Sequence, residues 1–128
     1  MSTQINVPFV DLKAQYHSIK EEIDTAMASV LADTAFIKGK YLASFEANFA
    51  DYIGTDHCIG VGNGTDAIYI ALRSMGIGAG DEVITVANSF IATSEAITQT
   101  GARVVFVDCH PDTYTIDTTQ IEEKITGK

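Results

Sequence analysis

Val61-Gly-Asn-Gly-Thr-Asp-Ala67, followed by Val83-Ile-Thr-Val-Ala-Asn-Ser-Phe-Ile-Ala-Thr93, decides the fold of this chain. Each stretch reads as a strand that runs through a polar loop into a helix. Outward from this pair the same rhythm continues. His57–Val61, Glu82–Ala87 and Ala102–Asp108 are short apolar runs and are expected as strands. Thr65–Met75 carries Ile68, Ala71, Leu72 and Met75 at helical spacing, and Phe90–Thr100 reads as a helix closed by Gly101. Gly76, Gly78 and Gly80 mark a tight return, and His110-Pro-Asp112 marks a turn. Asp117 with Gln120 predicts a capping box for a last helix over residues 118–126. Strands that alternate with helices and are apolar along their length imply a mainly parallel sheet with helices on both faces, an α/β class. Right-handed crossovers are expected between its strands. Three strands are few for an open parallel sheet, so the sheet reads as unfinished.

The first part of the chain has a different period. Leu12, Tyr16, Ile19, Ile23, Met27 and Val30 recur at intervals of three and four, which predicts one amphipathic helix over residues 11–32. Lys20 and Asp24 form an i,i+4 pair in its weaker order. Residues 41–53 predict a second helix, with Leu42, Phe45, Phe49 and Tyr52 on one face and Gly54 as its stop. The division that follows is 1–54 as a helical segment and 55–128 as the start of an α/β domain. The helical segment is expected to pack outside the α/β core or to reach toward a partner subunit.

The glycine-rich loop has a chemical reading. Gly60, Gly62 and Gly64 alternate just before a helix, and glycine lets a backbone turn sharply and approach a ligand closely. The amides of Thr65 and Asp66 would fall in the first helical turn, unpaired within the helix, where the macrodipole also favours an anion. The Thr65 hydroxyl adds one donor. The Asp66 carboxylate must turn away from a phosphate, toward a ligand donor or the helix start. A plain strand–helix turn capped by Thr65 explains the same residues. The loop is not a P-loop, since no Gly-Lys-Ser/Thr follows. Nor is it a dinucleotide fingerprint, because Thr65 stands where the third glycine belongs.

Phe90 follows the polar pair Asn88-Ser89 at a strand's carboxyl end, the position where open α/β sheets gather ligands. A phenyl ring there can stack on a planar cofactor ring. It can equally be the first apolar residue of its helix and belong to the core. Ser89 and Thr93 are open to roles as helix caps or substrate contacts.

Composition sets the outer limits. The chain has 128 residues, 46% hydrophobic, enough for one core. Eight basic against 17 acidic residues give a net charge of −9, which excludes a general nucleic-acid binder. No apolar run approaches the roughly 18 residues of a membrane span. Met1–Pro8 has neither the basic start nor the apolar stretch of a secretory leader. Cys58 and Cys109 lie far apart in apolar settings and read as buried free thiols, consistent with a cytoplasmic location. His17, His57 and His110 have no metal-ligand spacing, so no metal site is expected.

Val7-Pro-Phe-Val-Asp-Leu12, Gly62-Asn-Gly-Thr-Asp-Ala67, Gly80-Asp-Glu-Val-Ile84, Asn88-Ser-Phe-Ile-Ala-Thr93, Gly101-Ala102 and Val107-Asp108 occur in that order. Together they resemble the DegT/DnrJ/EryC1/StrS family of pyridoxal-phosphate-dependent nucleotide-sugar aminotransferases. The resemblance covers almost the whole chain and corresponds to the N-terminal third of a longer enzyme. It implies fold type I, the aspartate aminotransferase-like large domain, of which this chain would supply the first part. It further implies pyridoxal 5'-phosphate as cofactor, a nucleotide-linked keto sugar and an amino donor such as glutamate as substrates, and a homodimer. Gly64, Thr65 and Asp66 then match the phosphate cradle, and Phe90 matches the aromatic that stacks on the pyridine ring. Ala87 and Ser89 depart mildly from the family's common Pro and Thr. No catalytic residue is carried over, because the family's Schiff-base lysine and its pyridine-pairing aspartate lie further downstream. Lys38, Lys40, Lys124, Lys128 and Asp108 do not match those positions, so a chain ending at Lys128 is expected to be inactive alone. Two other readings stay open: a non-catalytic or regulatory relative of the family, and a nucleotide-binding oxidoreductase domain. The latter lacks its acid, since the second strand ends in Asn88 and Glu82 stands at its start.

Overall fold

The computed structural model describes residues 7–128; residues 1–6, and with them most of the stretch read as lacking a leader, lie outside the described part. The element order is α1 (Leu12–Ser18), α2 (Lys20–Ala32), α3 (Lys40–Ile53), α4 (Gly64–Ser74), β1 (Glu82–Val86), α5 (Ala92–Thr100) and β2 (Arg103–Val107). Two short 3₁₀ turns, Thr118–Gln120 and Glu122–Lys124, follow. The chain divides into two compact units, Met1–Gly60 and Val61–Lys128.

The first unit is helical, with one correction. The helix expected over residues 11–32 is broken at Ile19, whose φ of −125° and ψ of 17° leave the helical region. Ser18 Oγ donates to the Gln15 carbonyl at 2.7 Å, and the Ile19 N–H turns to Tyr16 O. A hydroxyl bound to a nearby carbonyl next to a β-branched residue offers the backbone an alternative to the helical ladder. Asp11 caps α1 by accepting from Ala14 N at 2.9 Å. The Lys20–Asp24 pair forms, and Tyr16 OH joins it by donating to Asp24 Oδ1 at 2.7 Å.

Between α2 and α3, Thr34 and Lys38 both take positive φ, at 49° and 55°. The Asp33 carboxylate spans this loop, accepting from Tyr41 OH and pairing with Lys40 Nζ, each at 2.6 Å. On α3 the predicted face is present: Phe45 stacks on Phe49 at 5.5 Å between centroids, and Phe49 meets Tyr52 at 6.2 Å. These rings remain largely exposed. Gly54 ends the helix in the left-handed region, and its N–H reaches the Ala50 carbonyl.

His57–Val61 is not a strand. The segment has no ladder partner among the described residues. A strand needs a neighbour to take its N–H and C=O groups. One of those groups is met by a side chain instead, since Gly60 N donates to Glu46 Oε1 at 2.8 Å. Space is tight here: a Cβ on Gly60 would stand 2.6 Å from Leu42 Cδ1, so that side chain would have to move.

The second unit contains a two-stranded sheet in place of the expected three. β1 and β2 pair in parallel with Glu82 opposite Arg103 and Val86 opposite Val107. α5 connects them and packs on both strands and on α4. The core sits on this crossover: Ala96, Ile97 and Thr100 of α5, with Ala102 and Val107, are buried. Thr100 tolerates burial because its hydroxyl donates to Ile97 O at 2.7 Å and accepts from Ala102 N at 3.2 Å.

Gly101 closes α5 at φ 91°, and a Cβ there would lie 3.3 Å from Ala79 N. Gly101→Ala therefore meets both an unfavourable backbone and a crowded one. A loss of about 1–2 kcal/mol in equilibrium unfolding is expected; an unchanged denaturation midpoint would refute this account of the turn.

The helix expected over residues 118–126 is replaced by the two 3₁₀ turns. Asp117 does not reach the Gln120 amide through its side chain; its Oδ1 takes Thr119 N at 3.0 Å, and Gln120 N bonds the Asp117 carbonyl. The Gln120 side chain is drawn away, donating to Asp117 Oδ2 at 2.8 Å and accepting from Asp108 N at 3.2 Å. That bridge tightens the turn and stops an α-helix from propagating. Both cysteines are free and half-buried.

Candidate functional site

Both stretches that carry a chemical reading fall in the second unit. At the first, α4 starts at Gly64, one residue before the expected Thr65, and its cap is Asn63 instead of Thr65. Asn63 is extended, with φ −165° and ψ 176°, and its Oδ1 accepts from Asp66 N at 2.9 Å. Its Nδ2 returns the contact by donating to Asp66 Oδ2 at 3.0 Å. The Asp66 carboxylate therefore turns to the helix start, one of the two directions its sequence position allowed. Asparagine is among the strongest N-caps, and Asn63 three residues before Asp66 is a readable signal for one.

The three glycines of this loop do not take the left-handed backbone. Their use is space. A Cβ at Gly62 would stand 3.0 Å from Asp66 Oδ2, whereas at Gly64 it would meet nothing within 4 Å. The approach to the first turn of α4 is open at Gly64. Among the described residues, the Gly64 and Thr65 N–H groups have no recorded acceptor, while the Asp66 N–H is held by its cap. Two outward amides at the positive end of an eleven-residue helix suit an anionic oxygen.

Phe90 lies in the loop after β1, with Ala92 opening α5. Its ring is 79% exposed, so within this chain it is not a core residue. The Phe90 carbonyl accepts from Thr93 N at 3.1 Å, and Ser89 Oγ and Thr93 Oγ1 share a hydrogen bond of 2.8 Å. Neither hydroxyl caps α5, whose start has no side-chain cap. A hollow of about 220 Å³ opens beside the ring, lined by Val86, Ser89, Phe90, Thr93 and, across the ladder, Phe106 of β2. Phe106 carries no signal in the sequence, where it is one apolar residue in an apolar strand; only the strand pairing brings it to Phe90.

The packing of α4 on α5 joins the elements that bear these two features. Gly64, Thr65 and Asp66 form the first turn of α4, and Phe90 lies in the loop between β1 and α5. The donor set is two amides and the Thr65 hydroxyl, and the flat surface is one exposed phenyl. Such a pair fits a phosphorylated aromatic ring. The Asp66 carboxylate is engaged by Asn63 Nδ2, and the Ser89 and Thr93 hydroxyls by each other. Among the described residues, no group of three or more His, Cys, Asp or Glu could hold a metal ion. No described helix is long and apolar enough to cross a membrane.

Comparison with known proteins matches residues 17–128 to the DegT/DnrJ/EryC1/StrS aminotransferase family. A pleiotropic regulatory protein of Geobacillus stearothermophilus is 47% identical over 97% of this chain and 33% of its own length. The dTDP-3-amino-3,4,6-trideoxy-alpha-D-glucose transaminase of Streptomyces venezuelae is 47% identical over 95% of this chain and 32% of its own. The crystal structure of NtdA from Bacillus subtilis, with its bound cofactor PMP, superposes with a TM-score of 0.90 at 38% identity. That superposition covers 95% of this chain and 28% of NtdA. The chain thus spans about a third of the length of the curated relatives it matches.

Proposed function

The chain belongs to the DegT/DnrJ/EryC1/StrS aminotransferase family and has the fold of the N-terminal part of a fold type I large domain; from this we propose that it is the cofactor-anchoring portion of a pyridoxal-phosphate-dependent aminotransferase. The amino group passes from an amino acid, glutamate, to a keto sugar carried on a nucleotide. The observation that bears most weight is the exposed Phe90 ring at the carboxyl end of β1, in the unit whose α4 presents unpaired amides. Relatives named as sugar transaminases support the substrate class.

The residues divide the work. Thr65 N–H and its hydroxyl hold the phosphate, with Gly64 contributing its amide and leaving room for the approach. The Asp66 amide joins them when its bond to Asn63 Oδ1 exchanges for the phosphate. Phe90 stacks on the pyridine ring and fixes its tilt. Pyridoxal phosphate, when bound, supplies a carbonyl carbon that takes up the amino group and a ring that withdraws electrons from the reacting bond. The residues of this chain bind and orient; none of them moves the proton. Lys40 is tied to Asp33, and Lys124 is paired with Glu123 at 3.2 Å. No lysine of the chain is assigned the Schiff base, and the 128 residues alone are inactive in transamination. The complete protein works in the cytoplasm as a homodimer, with residues 1–54 as its helical lead and 55–128 opening the cofactor domain.

A second reading has its own support in the regulatory relative at 47% identity, namely a family member that binds the cofactor without transaminating. One experiment separates the two. The native protein is purified, its intact mass is read against 13.7 kDa for these 128 residues, and its absorbance is recorded before and after borohydride. A much larger mass with a band at about 420 nm, abolished by borohydride, is expected of the aminotransferase. Adding glutamate should then shift the band, whereas a regulatory relative would keep it unchanged. A native protein with no such band would sink the cofactor assignment.

A further inference from the structure

A carboxylate outside the cofactor site is covered by its hydrogen-bond partners. The Glu82 side chain, at the first position of β1, is 8% exposed. Both of its oxygens are engaged. Oε1 accepts from Arg103 Nε at 2.9 Å and from the same guanidinium's Nη2. Oε2 accepts from Thr126 Oγ1 at 2.9 Å, and Thr126 Oγ1 in turn accepts from Lys128 N at 3.2 Å. Arg103 is the residue opposite Glu82 in the β1–β2 ladder. One carboxylate therefore joins the start of both strands to a segment some forty residues away in the chain.

Among the described residues, that segment makes few other side-chain hydrogen bonds. It follows a pair of 3₁₀ turns, and Ile125 is back in extended conformation. Below it lies a hollow of about 400 Å³ floored by Leu72, Ile77, Val83 and Ile84, into which Ile121 and Ile125 face. Ile125 stays 66% exposed, so apolar burial alone does not secure the segment. We propose that residues 121–128 form a strap across the amino-terminal end of β1 and that the Glu82 carboxylate is its latch, with Thr126 as the catch. Arg103 charges the latch and keeps it aimed. The guanidinium, and then the Thr126 hydroxyl, hold the Glu82 carboxyl below the usual carboxylate range. Lys128, which borders the same hollow, adds a smaller favourable charge to the latch, whereas Lys124 is paired with Glu123. Asp81, the nearest other acid in sequence, is turned away to Gly78 N at 2.7 Å.

The latch predicts a local opening that can be separated from global unfolding. In the full chain, amide exchange over residues 121–128 and trypsin cleavage after Lys124 are followed for Thr126→Val and Thr126→Ser. Thr126→Val keeps the shape and removes the donor, and should speed both readouts about tenfold while exchange in α5 stays at the wild-type rate. Thr126→Ser keeps the hydroxyl and should stay near wild type. Glu82→Gln should loosen the strap as Thr126→Val does and also loosen the start of β2. Three results would overturn the latch: unchanged exchange in Thr126→Val, equal acceleration across α5, or a Thr126→Ser strap as loose as that of Thr126→Val.

Discussion

Phe90→Ala is expected to weaken cofactor affinity roughly 30- to 100-fold while leaving the fold intact. The ring is 79% exposed in this chain, so its removal opens no cavity, and a stability change within about 0.5 kcal/mol should follow. Its value lies in the complex. Covering one phenyl face with a flat heteroaromatic ring removes apolar area from water and adds a stacking preference, together about 2–3 kcal/mol. That difference corresponds to the stated loss of affinity. Phe90→Trp should restore binding, because it keeps a flat face at the same strand end. Titration of the apoprotein with pyridoxal phosphate, followed by absorbance, reads the constants directly, and chemical denaturation of the same variants reads stability. If Phe90→Ala binds as tightly as the parent, the ring has no part in the cofactor site. If it unfolds several kcal/mol more easily, the ring belongs to the core of the complete protein.

Ile97→Ala should have the opposite profile, a large loss of stability at a distance from the site. Ile97 of α5, which packs on α4 and on both strands, is the largest side chain fully enclosed in the described structure, at 2% exposure. Truncation removes three carbons from a packed setting and leaves a space its neighbours fill only in part. A cost of about 3 kcal/mol is typical of such a site. With a urea dependence of about 1–3 kcal/mol per molar, the midpoint should fall by about 1–3 M. The slope itself should hold, since the same surface is exposed on unfolding. A midpoint within about 0.3 M of the parent would mean that the core of this unit lies elsewhere.

The elements legible in advance are those with local causes. The stripe Leu42, Phe45, Phe49 and Tyr52 with Gly54 behind it fixed α3, because period and stop signal agree. β1, α5 and β2 were legible to within two residues for the same reason, and Gly101 does close α5. The failures have non-local or competing causes. His57–Val61 has strand composition, but pairing depends on a neighbour elsewhere in the chain. The break at Ile19 turns on one hydroxyl of Ser18 that competes with the helix. Asp117 and Gln120 have the spacing of a capping box, whereas the Gln120 side chain accepts from Asp108 N and donates to the Asp117 carboxylate. Of the residues the sequence singles out, Gly64, Thr65 and Asp66 open α4 and Phe90 lies in the β1–α5 loop, all in the second unit. The sequence did not show that Asn63 already holds the Asp66 amide, nor that Phe106 stands across the hollow from Phe90.

The parallel pairing of β1 with β2 bears on the order of events when the chain first collapses. Every partner in that ladder is separated by the same short span, Glu82 from Arg103 being 21 positions apart. Closing a loop of that size costs little more than closing one half as long, since the entropy grows only with the logarithm of length. α5 fills the loop and carries the residues that the strands bury, so closure and packing arrive in one event. Most parallel sheets wait for distant partners and fold slowly. Here the crossover is a kinetic seed, assembled from neighbours in the chain, onto which slower pairings can be added.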